Sequence, residues 1–197
     1  YKLKHLKIIC STGSPLSSNG FDYVYKNIKK DVHLASIAGG TDLVGCLVLG
    51  NLFSNVHIGE IQGQSLAIDV DVFTENGKST KDYEKGELVV KQPFPSMPVK
   101  FWGDDDGKKY HEAYFTRFEN IWHHGDFVSR TSNNGFIVSG RSDATLNPGG
   151  VRIGTSEIYQ QVENIDFITE GLVVGQDYKD DVRIILFVTT KNDEDLD

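Results

Sequence analysis

Cysteines and long apolar runs are scarce in this sequence, and their scarcity narrows what the protein can be. Cys10 and Cys46 lie in apolar stretches without CxxC spacing, a pattern that predicts two buried, reduced thiols in a cytoplasmic protein. No apolar run approaches the roughly 20 residues that a membrane span needs, and no signal-peptide pattern stands at the N-terminus. We therefore expect a cytoplasmic location and no membrane partner.

Basic residues are also in the minority. The 197 residues include 20 lysines and arginines against 28 acidic residues, which gives a net charge of −8. A surface of that sign repels phosphate backbones, so nucleic acid is not an expected partner. Hydrophobic residues make up 39% of the chain, enough to bury the core of a domain of ordinary size. No GxxxxGK[ST] run is present, which excludes ordinary P-loop chemistry from this segment.

The beginning of the chain alternates between strand and helix patterns. Residues 4–10 (KHLKIIC) and 32–38 (VHLASIA) read as short strands. Between them, apolar residues recur at helical spacing over 17–29. Strand, helix and strand with short joints predict a βαβ unit, and hence a parallel sheet.

From about residue 56 the pattern changes to short strands that run antiparallel. Residues 66–72 and 86–92 read as strands on either side of a turn, and 127–138 read as a hairpin. Residues 108–118 read as a helix with one apolar stripe. Together these elements predict a small barrel or sandwich.

The end of the chain reads as a helix, N-capped by Thr155, and two apolar strands at 171–175 and 182–190. The predicted fold class is therefore mixed α/β. The predicted plan is the distal part of a large N-terminal domain, with an α/β portion at about 1–55 and a β-barrel portion at about 56–143, and then an incomplete small α+β domain at 144–197.

The most informative motif is the run GRSDATLNPGGVRIGTSEIY at 140–159. An ordinary glycine-rich linker is the alternative explanation. The run closely resembles the hinge motif GRxDxxxxxxGxRIxxxEIE of the adenylate-forming acyl-CoA synthetases, and the match extends over more than fifteen positions. Within this resemblance Asp143 is the hinge residue, Arg141 helps to hold the ribose, and Arg152 is a catalytic residue.

The run WHHGD at 122–126 supports the same resemblance. In that family a Gly-Asp pair ends a strand, and its carboxylate accepts hydrogen bonds from both ribose hydroxyls of ATP or AMP. Asp126 has this position, 17 residues before Asp143. The adjacent histidines lack acidic or cysteine partners at metal-ligand spacing, and we expect them to be structural or to line the nucleotide site.

Two further stretches fit the family in the same order along the chain. Gly39-Gly40-Thr41-Asp42 resembles the turn whose hydroxyl and carboxylate serve the α-phosphate and Mg²⁺. Thr41 and Asp42 take those two roles, with Asp42 as the metal ligand, although aspartate is one carbon shorter than the usual glutamate. Gly13-Ser14-Pro15 resembles a turn that packs against adenine, and because serine replaces an acid, only a backbone and packing role carries over.

Within the family, the runs LASIAGGTDLVG and GELVVKQPFPSMPVKFW are more similar to acetoacetyl-CoA synthetases than to other members. Acetate-specific members carry a tryptophan at or near the position of Gly39, so a glycine there is expected to leave room for a longer acyl chain. The implied substrates are acetoacetate, ATP and coenzyme A, with Mg²⁺ as the cofactor.

The resemblance leaves two alternatives open. The protein can be another adenylate-forming acyl-CoA synthetase, or a nucleotide-binding or interaction module without catalysis. The family's phosphate loop would lie upstream of Tyr1 and its catalytic lysine beyond Asp197. We therefore expect that this chain by itself does not make an acyl-adenylate.

Overall fold

The structure is a computed structural model that describes residues 2–144, 146, 148, 153–179 and 181–191. The chain divides into two compact units, Tyr1–Val138 and Ser139–Asp197. The architecture is mixed α/β with several sheets, as predicted. None of the helices in the described ranges is long and apolar enough to cross a membrane.

The predicted βαβ unit is present at the start of the first unit. Strands β1 (Ile8–Ser11) and β2 (His33–Ser36) pair in parallel. Helix α1 (Ser18–Tyr23) lies between them in sequence and continues as a π-helical turn (Val24–Ile28). Ser17 caps the helix by accepting a hydrogen bond from the Gly20 N–H at 3.3 Å. Strand β1 begins at Ile8 and not at residue 4, because 4–7 form a turn and an irregular stretch.

The helix closes over the parallel pair and buries a small core. Its buried members are Phe21, Val24, Val32 and Leu34. Burying one such side chain contributes about 1.5–3 kcal/mol, so this cluster fixes the helix against the strands.

The two cysteines are less buried than the sequence suggested. Both are free thiols, but Cys10 is exposed and Cys46 is half-buried. Strand β1 alternates between an exposed and a half-buried face, and Cys10 lies on the exposed face. Ile9, on the opposite face, packs against the core.

A three-stranded sheet follows, with strands β3 (Ala38–Gly40), β4 (Gly45–Leu49) and β5 (Gly63–Gln64) in antiparallel order. The turn between β3 and β4 covers 41–44, where Val44 adopts φ 48°. This turn carries the Thr-Asp pair singled out in the sequence.

A four-stranded sheet completes the first unit. Its strands are β6 (Val70–Phe73), β7 (Lys85–Val90), β8 (Trp122–Arg130) and β9 (Phe136–Arg141), in that spatial order. Strands β6, β7 and β8 pair antiparallel. The predicted barrel is corrected to an open sheet, because no pairing joins β6 to β9 among the described residues. The first strand is also shorter than the predicted 66–72.

Helix α2 (Lys108–Tyr114) packs on this sheet through its aromatic residues. Asp104 accepts the Lys109 and Tyr110 backbone N–H groups at 3.0 and 2.9 Å, which satisfies donors that the first helical turn leaves unpaired. The helix ends four residues before the predicted limit of 118. The buried core of this unit consists of Leu43, Leu47, Val48, Ile61, Ile68, Val70, Val72, Leu88, Val90, Phe94, Trp122, Val128 and Phe136.

The second unit contains helix α3 (Thr155–Val162) and a long antiparallel pair, β10 (Ile168–Tyr178) and β11 (Asp181–Thr190). Both predicted strands are present and are longer than expected. The predicted cap is wrong by one residue, since Gly154 is the N-cap and Thr155 begins the helix. The carboxylate of Glu157 accepts the Gly154 backbone N–H at 3.0 Å, so the cap needs no side chain at position 154.

Candidate functional site

The sequence-selected turns of the first unit lie at one edge of the parallel strand pair. Gly13-Ser14-Pro15 follows the end of β1, and Gly39 to Asp42 follow the end of β2. The Ile37 N–H donates to the Ser11 carbonyl at 2.9 Å, which keeps the two strand ends side by side. Carboxyl ends of parallel strands are the usual ligand-binding edge of an open α/β sheet.

The turn after β1 leaves open space beside Gly13, so a ligand can approach its backbone. Gly13 adopts φ +92°, a left-handed conformation that side chains rarely adopt. No atom lies within 4 Å of the position that its Cβ would take. Gly13 and Ser14 are exposed and Pro15 is half-buried, so a flat ligand could pack on this turn.

Asp42 is exposed in the β3–β4 turn and is held by a residue that the sequence did not single out for function. The Tyr114 hydroxyl of α2 donates a short hydrogen bond to the Asp42 carboxylate. The Tyr114 ring stacks on Trp122 with 3.7 Å between ring centroids and 13° between planes. Tyr114 is 72 residues from Asp42 in the chain. The sequence therefore indicated only its place on an apolar helical stripe.

Asp126 lies in an irregularity of strand β8. Glu87 pairs with Phe127 and Val89 pairs with His123, so 124–126 stand opposite the single residue 88. Gly125 adopts φ 83° there, which a residue with a side chain would resist. Bulges of this kind re-aim a side chain and are frequent beside active sites.

This placement corrects one expectation. The Gly-Asp pair does not end a strand but lies inside β8 (Trp122–Arg130). The physical reason is that the ladder resumes after the bulge, where Gly86 and Lys85 pair with Val128 and Ser129. The backbone at Asp126 is therefore held by strand pairing on both sides, and the residue is 8% exposed.

His124 connects the two acidic segments. Its imidazole Nε2 lies 3.7 Å from Asp126 Oδ2, and its Nδ1 lies 3.5 Å from the Trp122 indole N–H. A Cβ built on Gly40 would lie 3.3 Å from His124 Cε1 and 2.1 Å from Asp42 Oδ1. Gly40 is thus the point where Asp42 and the β8 bulge come together.

His123, next in the chain, faces the other way. Its Nε2 lies 2.9 Å from Glu87 Oε2. The other carboxylate oxygen of Glu87, Oε1, lies 3.1 Å from Arg117 Nη2. Glu87 is 2% exposed, so these contacts compensate a buried charge. This cluster serves the stability of the sheet, in line with a structural role for one of the two histidines.

Gly39 has a different surrounding from the one expected. An ideal Cβ at this position would lie 2.2 Å from the Gly45 carbonyl oxygen and 2.6 Å from Cys46 Cα. The backbone of β4, rather than open acyl space, therefore occupies the direction of a side chain. The close approach of two strands is a sufficient physical reason for glycine here.

The hinge motif belongs to the second unit. Arg141 Nε and Nη2 donate to the two carboxylate oxygens of Asp143, both at 3.2 Å. These hydrogen bonds hold the pKa of Asp143 below its ordinary value of 3.8 against the opposing effect of burial. Arg152 and the paired glycines 149–150 lie outside the described residues, so their placement stays a prediction.

The acidic groups do not form a metal cage on their own. In the part of the chain that the structure describes, no three His, Cys, Asp or Glu side chains are grouped to hold an ion. Thr41 and Asp42 offer one hydroxyl and one carboxylate, which are hard oxygen donors. Mg²⁺ commonly binds through one or two carboxylates together with substrate phosphates, and this donor pair fits such an arrangement.

The chain is similar to acetoacetyl-CoA synthetases over nearly all of its length. It is 58% identical over 188 residues to the acetoacetyl-coenzyme A synthetase of Rhizobium meliloti (strain 1021), covering 95% of this chain and 29% of that protein. It is 45% identical over 190 residues to the acetoacetyl-CoA synthetase of Gallus gallus, covering 95% of this chain and 28% of that protein.

A solved structure gives the same result. The acetoacetyl-CoA synthetase from Streptomyces lividans superposes with a TM-score of 0.86 at 38% identity, covering 99% of this chain and 30% of that chain. No protein-family profile matches the sequence. The chain thus spans less than a third of the length of the relatives that it matches.

Proposed function

Since this chain is homologous to one segment of the acetoacetyl-CoA synthetases, we propose that its protein is an acid–thiol ligase that activates acetoacetate. An acetoacetate oxygen bonds to the α-phosphorus of ATP, and pyrophosphate leaves with the electrons of the broken P–O bond. The coenzyme A thiol then loses its proton, its sulfur bonds to the acyl carbon, and AMP leaves. The relatives favour this reaction over a module without catalysis.

The observation that carries the proposal is the meeting of two acidic segments at Gly40. Asp42 and Asp126 come from distant parts of the chain, yet Gly40 lies against both Asp42 and His124. A carboxylate can accept two donors at once, so Asp126 suits the two hydroxyls of a ribose. The exposed Thr41–Asp42 turn then lies on the phosphate side, and Gly13 to Pro15 offer a surface for adenine.

Thr41, Asp42 and Arg152 are the residues that we assign to the first step. Phosphoryl chemistry of this type depends on positioning and on stabilisation of charge more than on proton transfer. Mg²⁺, when bound, would neutralise charge on the phosphates. Asp42 would hold it, and the Thr41 hydroxyl would donate to the α-phosphate.

We assign the second unit to the conformational change between formation of the acyl-adenylate and transfer of the acyl group to coenzyme A. We propose that backbone rotation at Asp143 turns the region from 144 onward, with the large domain ending at 143. The bidentate pair between Arg141 and Asp143 would restrain that rotation, and release of Asp143 would free Arg141 for the ribose. A cytoplasmic location, with small molecules as the only assigned partners, belongs to this proposal.

The test is acetoacetate-dependent exchange of pyrophosphate into ATP by the full-length protein. We expect exchange with acetoacetate to exceed that with acetate or benzoate. Asp126→Asn is expected to raise the KM for ATP by about tenfold or more, since it weakens a charge-assisted hydrogen bond. Glu84→Gln, a substitution of an exposed acid in the same unit, is the control. Exchange that is equal with all three acids would contradict the proposal.

A further inference from the structure

We propose that His124 is a positioning residue that fixes the Asp126 carboxylate for ribose recognition, and that Trp122 sets its tautomer. This inference rests on the proposed function, because it assumes that Asp126 receives the ribose hydroxyls. The printed contacts, rather than strand periodicity, bring the three side chains of β8 together, because the ring of His124 lies between the Trp122 indole and the Asp126 carboxylate.

The protonation of His124 follows from its first neighbour. The indole N–H of Trp122 points at His124 Nδ1 across 3.5 Å. An indole nitrogen can only donate, so Nδ1 accepts and the proton of the neutral ring resides on Nε2. Trp122 is 2% exposed and stacks on Tyr114, which leaves the indole no freedom to turn away.

The second neighbour of His124 is Asp126, which the protonated Nε2 of this tautomer faces. His124 Nε2, which carries the proton in this tautomer, faces Asp126 Oδ2 at 3.7 Å, an electrostatic contact at a distance longer than a hydrogen bond. The interaction steadies one carboxylate oxygen and orients the other. His124 is 7% exposed and Asp126 8%, so water competes little for these atoms. The bulge at 124–126, with Gly125 at φ 83°, fixes the backbone at Asp126. The backbone by itself does not define the plane of the Asp126 carboxylate.

The test compares ATP with 2′-deoxy-ATP as substrates of the full-length protein. Loss of one hydrogen bond to a charged group should make wild type prefer ATP by roughly 10- to 100-fold in kcat/KM. For His124→Leu we expect this preference to fall to below about fivefold. For His124→Gln we expect most of it to remain, because the terminal amide replaces the Nε2–H donor.

His123→Gln is the matched control, since His123 contacts Glu87 on the opposite face of the strand. Its preference for ATP should equal that of wild type. If His124→Leu does not fold, His124→Asn is used instead, because its shorter amide keeps polarity without reaching Asp126. An unchanged preference in the folded variant overturns the role of His124. A wild type that does not distinguish the two nucleotides instead overturns the ribose role of Asp126.

Discussion

Gly39→Ala separates two explanations of the glycine in strand β3. In the structure, an alanine Cβ would lie 2.2 Å from the Gly45 carbonyl oxygen and 2.6 Å from Cys46 Cα. Comfortable non-bonded contacts are about 3.5–4.0 Å, so β3 and β4 would have to separate by roughly 1 Å or more. Overpacking of this kind costs about 1–3 kcal/mol, and a lost ladder hydrogen bond adds about 1 kcal/mol.

We therefore expect Gly39→Ala to lower the free energy of unfolding by about 2–4 kcal/mol. Gly45→Ala in the partner strand is the control, because its Cβ would lie 3.5 Å from Leu43 Cδ1 and from Ser96 Oγ, an ordinary contact. Its effect should stay within about 1 kcal/mol. Urea unfolding monitored by tryptophan fluorescence gives both values, provided that the slope against urea is unchanged.

The acyl-pocket explanation predicts the reverse. If position 39 faces open acyl space, alanine should leave stability close to that of the Gly45→Ala control and shift substrate preference toward shorter acids. That combination would refute the argument from close approach of the strands.

Three further predictions concern single contacts. Tyr114→Phe keeps the ring stack but removes the hydrogen bond to Asp42, and should lower kcat/KM for ATP by about 3- to 10-fold with little change in stability. Glu87→Gln weakens a buried charge cluster and should cost about 1–3 kcal/mol in urea unfolding. Arg141→Gln should raise the pKa of Asp143, followed by NMR titration, back toward 3.8. In wild type the Arg141–Asp143 pair stabilises the folded protein above about pH 3.8. This stabilisation is lost as the pH falls through the lowered pKa of Asp143.

The controls are substitutions that alter the same chemistry elsewhere. Tyr83→Phe removes an exposed hydroxyl that contacts Ser132 at 3.0 Å, and should leave ATP kinetics unchanged. Glu84→Gln alters an exposed carboxylate and should cost less than about 0.5 kcal/mol. An Asp143 pKa that does not move in Arg141→Gln would show that the two hydrogen bonds do not set it.

Local patterns predicted the elements well where period and turn chemistry agree. The βαβ unit, the β8–β9 hairpin and the pair β10–β11 follow from runs with a clear period and from turn residues such as Asn134, which adopts φ 60°. Boundaries were less well predicted, as with α2, which ends at Tyr114. Closure of the four-stranded sheet was wrong, because closure depends on pairing between distant strands.

The candidate site divides in the same way. Asp42 and Asp126 could be selected from the sequence through the family resemblance of the runs that contain them. The neighbours of His124 are known from the structure, where its ring contacts the Trp122 indole and faces Asp126. Tyr114 could not be selected from the sequence, because 72 residues separate it from the carboxylate that it contacts.

By itself, the sequence determined the class of fold, the order of its elements and the acidic residues that the family resemblance selects. These features depend on local periodicity and on side-chain chemistry, which are properties of residues close together in the sequence. Only the tertiary structure decided that Gly39 faces the backbone of β4, and that Gly40 joins Asp42 to His124. Such contacts arise when distant strands pack, and the free energy that selects them comes from the buried core as a whole rather than from any single segment.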